Sequence, residues 1–431
     1  MCGNNKLTTI SVTGYTKLAE LDCANNTSLS TLYCYNNVLT TLNVSGCNAL
    51  SIIDCHGNNL STLGTLPGYL TELYCNNNNL TSLSTLPSTL KKLNFSYNKV
   101  QAFPSVNYPS HLETVYCGNN LFTTLAITYN MYLTFVDCSN NTSLINLDFG
   151  KNALTAFVIS GCNKIKTLDV GENQLTSLPT LPSTLTSLSC YRNQFTTLDV
   201  TRKNNLQELN CFGNVNLTTL SCYSNALTSL NYSGCTALKT LICSNNQLTS
   251  LDALPSTVTK FICSYNQLTS MPTLPSGLQE LGCSDNRLTS LSLQGLNSLT
   301  SLVIYDNQIK EAAMGTLVNS LCTIPAGSTG TFLVLGGSGE GNVITASQVK
   351  TARNKRWIPQ EYKNGEWVDI ASGSVPGDVN GDGDVTSADI TALYDFMLNN
   401  DSSHLVNGDQ NGDGEITSAD VTAVYDVMLG Q

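Results

Sequence analysis

The sequence predicts an α/β-type solenoid of short parallel strands, closed by an α/β cap and followed by a small all-α domain of paired loop–helix units. Three observations support this fold class. An apolar motif recurs at a short period through most of the chain, helix and hairpin patterns then replace it, and two near-copies of one acidic segment end the sequence. We expect a solenoid over 1–308, a cap over 309–371, a linker over 372–376 and a terminal domain over 377–431.

The repeat reads L-x-x-L-x-C-x-x-N, as in "LTELYCNNN" at Leu70–Asn78, and we call the cysteine position the repeat slot. Sixteen residues occupy the slot: Cys23, Cys34, Cys55, Cys75, Phe95, Cys117, Cys138, Phe149, Val170, Cys190, Cys211, Cys222, Cys243, Cys263, Cys283 and Ile304. In all sixteen copies the residue three positions later is Asn, and successive slots are mostly 20 to 22 residues apart. Self-similarity at such a period indicates a stacked repeat architecture.

The motif has a simple physical basis. Alternate residues of a strand face opposite sides, so Leu73 and Cys75 of one copy both face inward. The Asn at the strand exit is predicted to turn its amide inward and pair with backbone groups of the turning chain. Stacked copies then form a parallel sheet on one side of the solenoid. No second column of Cys or His flanks the slot, which favours a buried thiol column over a metal ladder or a redox chain.

This motif resembles that of the leucine-rich repeat family, over roughly residues 1–310 and at the short end of its repeat lengths. Return segments such as "LTSLSTLPSTL" contain Pro, which predicts an extended back rather than a helix. Three steps between slots are only 11 residues long: Cys23 to Cys34, Cys138 to Phe149 and Cys211 to Cys222. Eleven residues are too few for a complete coil, so we expect these steps to be inserted half-repeats that lengthen a neighbouring turn.

Aromatic residues beside the slot are candidates for ligand contact on an open, concave face of the sheet. They are Tyr33, Tyr74, Tyr116, Tyr191, Phe212 and Tyr223. The competing interpretation is that Tyr is a favourable strand residue and binds nothing. Beyond the repeats, segments 309–322 and 344–357 predict helices, 331–335 predicts a strand, and Asn364-Gly365 predicts the turn of a closing hairpin.

Two acidic segments, "DVNGDGDVTSAD" and "DQNGDGEITSAD", form the most specific motif in the chain. Oxygen-bearing side chains stand at positions 1, 3, 5, 7 and 12 of both: Asp378, Asn380, Asp382, Asp384 and Asp389, then Asp409, Asn411, Asp413, Glu415 and Asp420. This is the ligand spacing of an EF-hand calcium loop, with Gly permitting the sharp turn at position 6. We therefore expect two Ca²⁺ ions, with Asp at position 12 where the ordinary EF-hand has Glu.

Each loop runs into a helical pattern, with Ile390, Leu393, Tyr394 and Met397 spaced as an apolar face in the first. Two loop–helix units at the end of a modular chain resemble a type I dockerin. That resemblance implies docking onto a cohesin module through loop positions 10 and 11. These positions hold Ser387 and Ala388 in one unit, and Ser418 and Ala419 in the other. Identical pairs imply two docking orientations. The helices carry Tyr394-Asp395 and Tyr425-Asp426 where members of this family usually have basic residues.

Charge separates the two parts of the chain. The net charge is −11, and segment 377–431 holds ten Asp, one Glu and no Lys or Arg, so the remainder sums to zero. Two divalent cations neutralise four of these charges, which couples metal binding to folding. The acidity argues against a nucleic-acid partner. The sequence also lacks an apolar run long enough to span a bilayer.

Three functional hypotheses remain open from the sequence. The first is a secreted, non-catalytic interaction protein of bacterial type, whose solenoid binds a protein or glycan and whose terminal domain docks onto a cohesin-type partner. The second is a dockerin-borne subunit of a polysaccharide-degrading assembly. The third keeps the twin loops as a calcium-stabilised structural cap. No nucleophile–base pair is visible, so we expect no enzyme. The start "MCGNN" matches the middle of a repeat, so we expect a signal peptide and cap to precede it.

Overall fold

The computed structural model describes residues 2–104, 109–336, 340–371, 378–380, 385–400, 402, 405, 408–410 and 415–429. The chain divides into two compact units, Met1–Thr240 with Asn245–Leu248, and Leu241–Ser244 with Thr249–Gln431. This division falls within the repeat array. The domain boundaries expected at 308, 371 and 376 stay predictions.

In the described part of the repeats there are twenty-two strands of three residues each. They are β1 Thr9–Ser11, β2 Glu20–Asp22, β3 Thr31–Tyr33, β4 Thr41–Asn43, β5 Ile52–Asp54, β6 Glu72–Tyr74, β7 Lys92–Asn94, β8 Thr114–Tyr116, β9 Thr124–Ala126, β10 Phe135–Asp137, β11 Asn146–Asp148, β12 Ala156–Val158, β13 Thr167–Asp169, β14 Ser187–Ser189, β15 Thr197–Asp199, β16 Glu208–Asn210, β17 Thr219–Ser221, β18 Ser229–Asn231, β19 Thr240–Ile242, β20 Lys260–Ile262, β21 Glu280–Gly282 and β22 Ser301–Val303. In nearly every strand the middle residue is buried and its neighbours are more exposed, as the alternation of side chains along a strand requires.

The strands of the first unit form parallel sheets, which confirms the predicted solenoid. Sheet I has the order β1-β3-β5-β6-β7-β8-β10-β12, and sheet II has the order β18-β16-β14-β13-β11-β9. Strands β2 and β4 form a separate parallel pair, and β15 pairs with β17 in parallel as the first two strands of a third sheet. Equivalent residues of the repeats pair in register, for example Ile53 with Leu73 and Leu73 with Leu93. The buried leucines of successive coils therefore lie directly above one another.

The expectation of a single sheet on one side is wrong, because a coil has two strand positions. From β8 to β13 the strands alternate between sheet I and sheet II, so each coil there contributes one strand to each. The inward residues of the two sheets share one core. The rings of Phe149, which follows β11, and Phe157 in β12 are 6.1 Å apart. Half a coil is therefore enough for a strand and its turn.

The 11-residue steps follow from this arrangement and do not lengthen a turn, which corrects the expectation. Between Cys23 and Cys34 the repeat slot moves from the β2–β4 pair to sheet I. The next two steps take the slot from sheet I to sheet II after Cys138, and from sheet II to β17 after Cys211. An 11-residue step is thus half a coil. It transfers the slot to the other sheet while the stacking continues.

The slot Asn residues act as predicted. Asn78 donates through Nδ2 to the carbonyl of Cys75, at 3.1 Å, and to that of Cys55 in the preceding coil, at 3.1 Å. Its Oδ1 accepts the N–H of Leu60 at 2.9 Å. One amide thus bonds backbone groups of two coils, which keeps those buried groups paired. The residue before Asn78, Asn77, has a left-handed backbone with φ 54°, and the same position is left-handed in many other coils.

The slot cysteines are packed thiols, as predicted, but they form separate stacks because the slot moves to another sheet at each 11-residue step. All 17 cysteines are free, and 15 of them are buried. Burial raises the pKa of the slot thiols Cys243 and Cys283 to about 12, whereas hydrogen bonds with neighbouring thiols lower the pKa of Cys162 and Cys235, which lie outside the slot. Cys243 and Cys283 are therefore neutral, packed thiols at neutral pH.

The second unit contains the elements predicted for the cap. They are α1 Glu311–Ser320, β23 Gly330–Leu335, α2 Ala346–Asn354, β24 Trp357–Lys363 and β25 Glu366–Asp369. Strand β23 continues the parallel order after β22, and β24 and β25 form an antiparallel hairpin. Its turn residues Asn364 and Gly365 have φ values of 53° and 91°, as the Asn-Gly signal predicts. Trp357 is fully buried and donates through Nε1 to the carbonyl of Cys322 at 2.7 Å.

Two helices, α3 Ser387–Asn399 and α4 Ser418–Leu429, form the C-terminal domain. Its buried apolar residues come from both helices and one loop: Val379, Ile390, Ala392, Leu393, Val421 and Val424. The prediction that Tyr394 belongs to the apolar face is wrong, because its side chain is 46% exposed. Met397 packs only at the edge of this cluster. The small core is consistent with the small size of the domain.

Candidate functional site

The acidic loops are tied to their helices by the Asp at position 12. Asp389 is fully buried, and its Oδ1 accepts the N–H groups of Val379 at 2.9 Å and Asn380 at 3.0 Å. Its Oδ2 accepts the N–H of Thr386 at 2.8 Å, which completes a capping box at the start of α3. The carboxylate therefore joins the beginning of the loop to the first turn of the helix.

The second loop repeats this arrangement. Asp420 is fully buried, with its Oδ1 accepting the N–H of Gln410 at 2.7 Å and its Oδ2 accepting the N–H of Thr417 at 2.8 Å. The hydroxyl of Thr417 in turn accepts the N–H of Ala419 at 3.2 Å. The described ends of the two loops are thus matched in structure as well as in sequence.

The described part of both loops fits a divalent cation. Asp378, at position 1, is 2% exposed, and no Lys or Arg occurs in this segment to balance it. Burying carboxylates without a cation is costly, and oxygen donors of this kind are what Ca²⁺ prefers. A carboxylate has about four acceptor positions, so the N–H bonds of Asp389 leave room for a metal.

Four of the predicted ligands lie outside the described residues: Asp382, Asp384, Asn411 and Asp413. Within the residues that the structure describes, no three His, Cys, Asp or Glu side chains come together as a metal-binding group. The full set of ten ligands therefore stays a prediction. Of the described ligands, Asn380, Asp409 and Glu415 lie in the loops, and Asp378, Asp389 and Asp420 are the buried ones.

The residues expected to contact a cohesin module occupy equivalent places on the two helices. Ser387 and Ala388 are exposed on the first turn of α3, and Ser418 and Ala419 are exposed on the first turn of α4. About two turns further along each helix, Tyr394 and Tyr425 are 46% and 47% exposed. Sequence reasoning missed this exposure of the tyrosines.

The candidate aromatic residues of the solenoid do not share one face. Tyr33, Tyr74 and Tyr116 end strands β3, β6 and β8 of sheet I. By contrast, Tyr191 and Phe212 lie two residues after strands of sheet II, and Tyr223 lies two residues after β17. The expectation of a single aromatic face is therefore wrong, and its physical cause is the transfer of the slot between sheets at each 11-residue step.

Three of these tyrosines alternate with polar residues along sheet I. In register across the sheet, the successive residues are Tyr33, Asp54, Tyr74, Asn94, Tyr116 and Asp137, which we call the tyrosine row. The motif alone does not predict this alternation, because it depends on the register of the sheet. The alternation arises because the candidate tyrosines occur in every second coil of this part of the array.

Polar neighbours hold Tyr74, in the middle of the row, in a fixed position. Tyr74 donates its hydroxyl to Glu72 at 2.8 Å, and Lys92 pairs with Glu72 at 3.1 Å. Burial and this bond raise the pKa of Tyr74 to about 12. Burial alone raises the pKa of Glu72, but the bonds from Lys92 and Tyr74 outweigh it and leave the pKa below its ordinary value. The pair therefore holds the Tyr74 ring in place.

His56 extends the aromatic surface at one end of the row. Its ring stacks on Tyr35 with centroids 4.7 Å apart and an angle of 10° between the planes. Its Nδ1 lies 2.6 Å from Oδ1 of Asp54. At the other end, the rings of Tyr116 and Phe135 are 5.6 Å apart. Aromatic groups thus border both ends of the row.

Sheet II presents a different, mostly polar surface. A shallow hollow of about 280 Å³ is lined by Thr124, Asn146, Leu147, Asp148, Thr167, Leu168, Asp169, Ser187 and Ser189. Burial, together with the neighbouring charge of Asp148, raises the pKa of Asp169. Tyr191 lies at its edge, where its ring covers Gly171 so closely that a Cβ there would meet it at 2.0 Å. A ring at this position fixes the size of the residue beneath it.

Comparison with known families identifies both parts of the chain. A family model described as "Dockerin type I domain" matches residues 376–428, and one described as "Leucine Rich repeats (2 copies)" matches residues 215–256. None of the curated proteins matches the chain. None of the helices that the structure describes has the length and apolar content needed to cross a membrane.

Among solved structures, similar chains include YopM from Yersinia enterocolitica WA-314, at 22% identity over 71% of this chain and 84% of that one, with a TM-score of 0.25. The functional domain of InlJ from Listeria monocytogenes is 23% identical over 77% of this chain and 74% of that one, with a TM-score of 0.28. TM-scores this low carry no argument. The family models and the geometry lead to one conclusion: the chain carries leucine-rich repeats and a C-terminal dockerin type I domain.

Proposed function

We propose that this chain is a non-catalytic, secreted interaction protein whose dockerin domain docks onto a cohesin-type partner in a calcium-dependent manner, while its solenoid binds a protein or glycan ligand. A dockerin domain together with a repeat array indicates protein–protein interaction. The paired, buried Asp389 and Asp420 carry the proposal, because each closes a loop that has the spacing of calcium ligands.

Two Ca²⁺ ions are proposed, one in each loop. The ligands in the first loop are Asp378, Asn380, Asp382, Asp384 and Asp389, and those in the second are Asp409, Asn411, Asp413, Glu415 and Asp420. A bound ion supplies positive charge where the chain has none and holds the loop against its helix. The protein's own contribution is the capping bond of Asp389, which orients the carboxylate before the ion binds.

Docking is proposed at the first turns of α3 and α4. The exposed pairs Ser387-Ala388 and Ser418-Ala419 are identical. A cohesin can therefore bind through α3 in one orientation, or through α4 in a second orientation. The neighbouring Tyr394 and Tyr425 supply large exposed rings beside each pair. A polar-rimmed surface with an aromatic anchor is typical of protein interfaces.

A pull-down of the full chain on immobilised cohesin modules, in calcium and in EDTA, tests the proposal. We expect retention in calcium only. Ser387→Asp with Ser418→Asp should abolish retention, while either substitution alone should leave it largely intact because the other helix remains available. Absence of binding to every cohesin, with both loops shown to hold calcium, would instead favour a purely structural cap.

The twin-loop domain is also compatible with a subunit of a polysaccharide-degrading assembly. One observation favours this role, namely that the dockerin is joined to a solenoid with a row of tyrosines, of which Tyr116 is exposed and Tyr33 and Tyr74 are partly buried. Hydrolysis of a panel of plant and bacterial polysaccharides by the full chain separates a catalytic subunit from a carrier that only binds. We expect no hydrolysis.

A further inference from the structure

The tyrosine row has the geometry of a binding site for one class of ligand. We propose that sheet I binds an extended, uncharged β-linked glycan along Tyr33, Tyr74 and Tyr116. This inference rests on the proposed function, in which the solenoid is the ligand-binding part. It deepens that proposal by assigning the face and the chemistry of the ligand.

The first argument is the spacing of the rings. Neighbouring strands lie about 4.8 Å apart, so tyrosines in every second strand recur at about 10 Å, and Tyr33 and Tyr116 are about 19 Å apart. In an extended β-1,4-linked glycan successive sugars are turned over, so the same face recurs at every second sugar. A straight glycan of this kind therefore presents an equivalent ring face to each tyrosine in turn.

The second argument is the chemistry between the rings. Asp54, Asn94 and Asp137 each use Oδ1 to accept a backbone N–H two residues later, from His56, Ser96 and Ser139. This bond fixes the side chain and leaves the second polar atom of each head group, Oδ2 or Nδ2, for a further hydrogen bond. Carboxylate and amide groups in that position can accept from or donate to sugar hydroxyls. The row thus alternates a flat apolar ring with a fixed polar group.

Other extended ligands fit less well. Residues on one face of a peptide strand recur at about 6.6 to 6.8 Å, which does not match the spacing of the tyrosines. A helical peptide repeats a face at about 10.5 Å after seven residues, but its apolar face would offer no partner to the remaining polar atoms of Asp54, Asn94 and Asp137. A neutral glycan has hydroxyl groups that can pair with these polar atoms, and it does not have the spacing of a peptide strand.

The charge of the face narrows the class of glycan. Asp54, Glu72 and Asp137 lie on this side of sheet I, and the nearby cation Lys92 is paired with Glu72. The excess of negative charge disfavours sulfated or uronic-acid glycans, because like charges repel across a short distance. It leaves neutral glycans as the matching class.

Titration of the full chain with hexasaccharides tests the site. The probes are the β-1,4-linked hexaoses of glucose, xylose and mannose, with maltohexaose as a curved control and a hexamer of galacturonic acid as an anionic control. We expect at least one of the three β-1,4 hexaoses to bind, with affinity falling as the probe is shortened to a disaccharide. The two controls should bind at least tenfold more weakly.

Variants locate the binding. Each of Tyr33→Ala, Tyr74→Ala and Tyr116→Ala should weaken the bound hexaose roughly two- to tenfold, which is the range for one aromatic contact, and the triple variant should abolish binding. Tyr74→Phe keeps the ring and should retain most of the affinity. Tyr69→Ala, on a turn where the ring is 72% exposed, is the matched control and should change nothing. Circular dichroism confirms that each variant is folded.

Two results would overturn the inference. One is that none of the three β-1,4 hexaoses binds, and the other is that the folded triple variant binds as tightly as the natural chain. The cohesin pull-down, run on the same variants, keeps the two proposals distinct. If the natural chain binds cohesin but none of the hexaoses, only the glycan site is refuted. If the natural chain binds a hexaose but no cohesin, only the docking proposal is refuted.

Discussion

In the repeat array every coil buries a leucine and usually a thiol or an aromatic ring, and one Asn amide joins it to the coil before. In the C-terminal domain, six buried apolar residues stand against a segment charge of −11. The first region stabilises itself by repetition of contacts between neighbours. The second has a small core for its charge, so we expect its stability to depend on bound cations. The comparison shows how one chain can join a self-sufficient scaffold to a conditional binding domain.

Removal of calcium should have the largest effect and should separate the two regions. In EDTA we expect residues 378–429 to lose nearly all amide protection, because the carboxylates of the loops repel one another without a cation. Residues 9–335 should keep theirs. Hydrogen exchange of the full chain, followed by mass spectrometry, measures both regions at once. Equal protection of the C-terminal peptides with and without calcium would remove the proposed contrast.

Alkaline pH should destabilise the repeat array and should act less on the C-terminal domain. The buried thiols of Cys243 and Cys283 have pKa values raised from 9.0 to about 12, so the folded array holds these protons more tightly than the unfolded chain does. Their contribution to stability is complete below about pH 9 and is lost as the pH rises towards 12. The C-terminal domain has no cysteine. We expect denaturation midpoints of the array to fall steeply in this window, and a flat profile would contradict the neutral state of these thiols.

Truncation of the position-12 carboxylate should weaken the C-terminal domain alone. Asp389→Ala leaves three backbone N–H groups without their acceptor, at a cost of roughly 3 kcal/mol in the unfolding free energy. Asp426→Ala, at an exposed position of α4, is the matched control and should cost less than about 0.5 kcal/mol. Guanidinium denaturation in saturating calcium, followed by exchange of the C-terminal peptides, gives both values.

Loss of the side-chain amide of one slot Asn should have the smallest effect on stability. Only the repeat array should be destabilised. Asn78→Ala removes four hydrogen bonds, two of which reach the preceding coil, and this should cost roughly 2 to 3 kcal/mol. The neighbouring Asn79→Ala removes an amide that makes none of these bonds, so it should be nearly neutral. Urea denaturation of the array, in calcium, compares the two. Similar losses for both variants would show that the slot Asn has no special role.

Much of this fold could be predicted from the sequence. The period, the inward Leu and Cys, the bonding role of the slot Asn and the Asn364-Gly365 turn all follow from local patterns, and the structure confirms them. The second strand of each coil could not be predicted in the same way. At three residues it is too short for a strand signal, so the 11-residue steps looked like insertions.

Other features depend on contacts that the sequence does not show. Asn342 bonds the carbonyls of Ile304 and Val334 as a slot Asn would, but it stands eight residues after Val334, where the motif expects three. The same limit explains Tyr394, since helical spacing defines an apolar stripe without showing which edge of it is covered. For the candidate site, the loop spacing could be predicted, whereas the alternation along the tyrosine row required the register of sheet I.

Calcium titration of the full chain by calorimetry tests the central claim most directly, namely that the acidic twins are two independent ion sites on which the docking domain depends. We predict two ions per chain for the natural sequence, and one each for Asp378→Ala and for Asp409→Ala. Binding of no ion, or of two ions by both variants, would contradict the account.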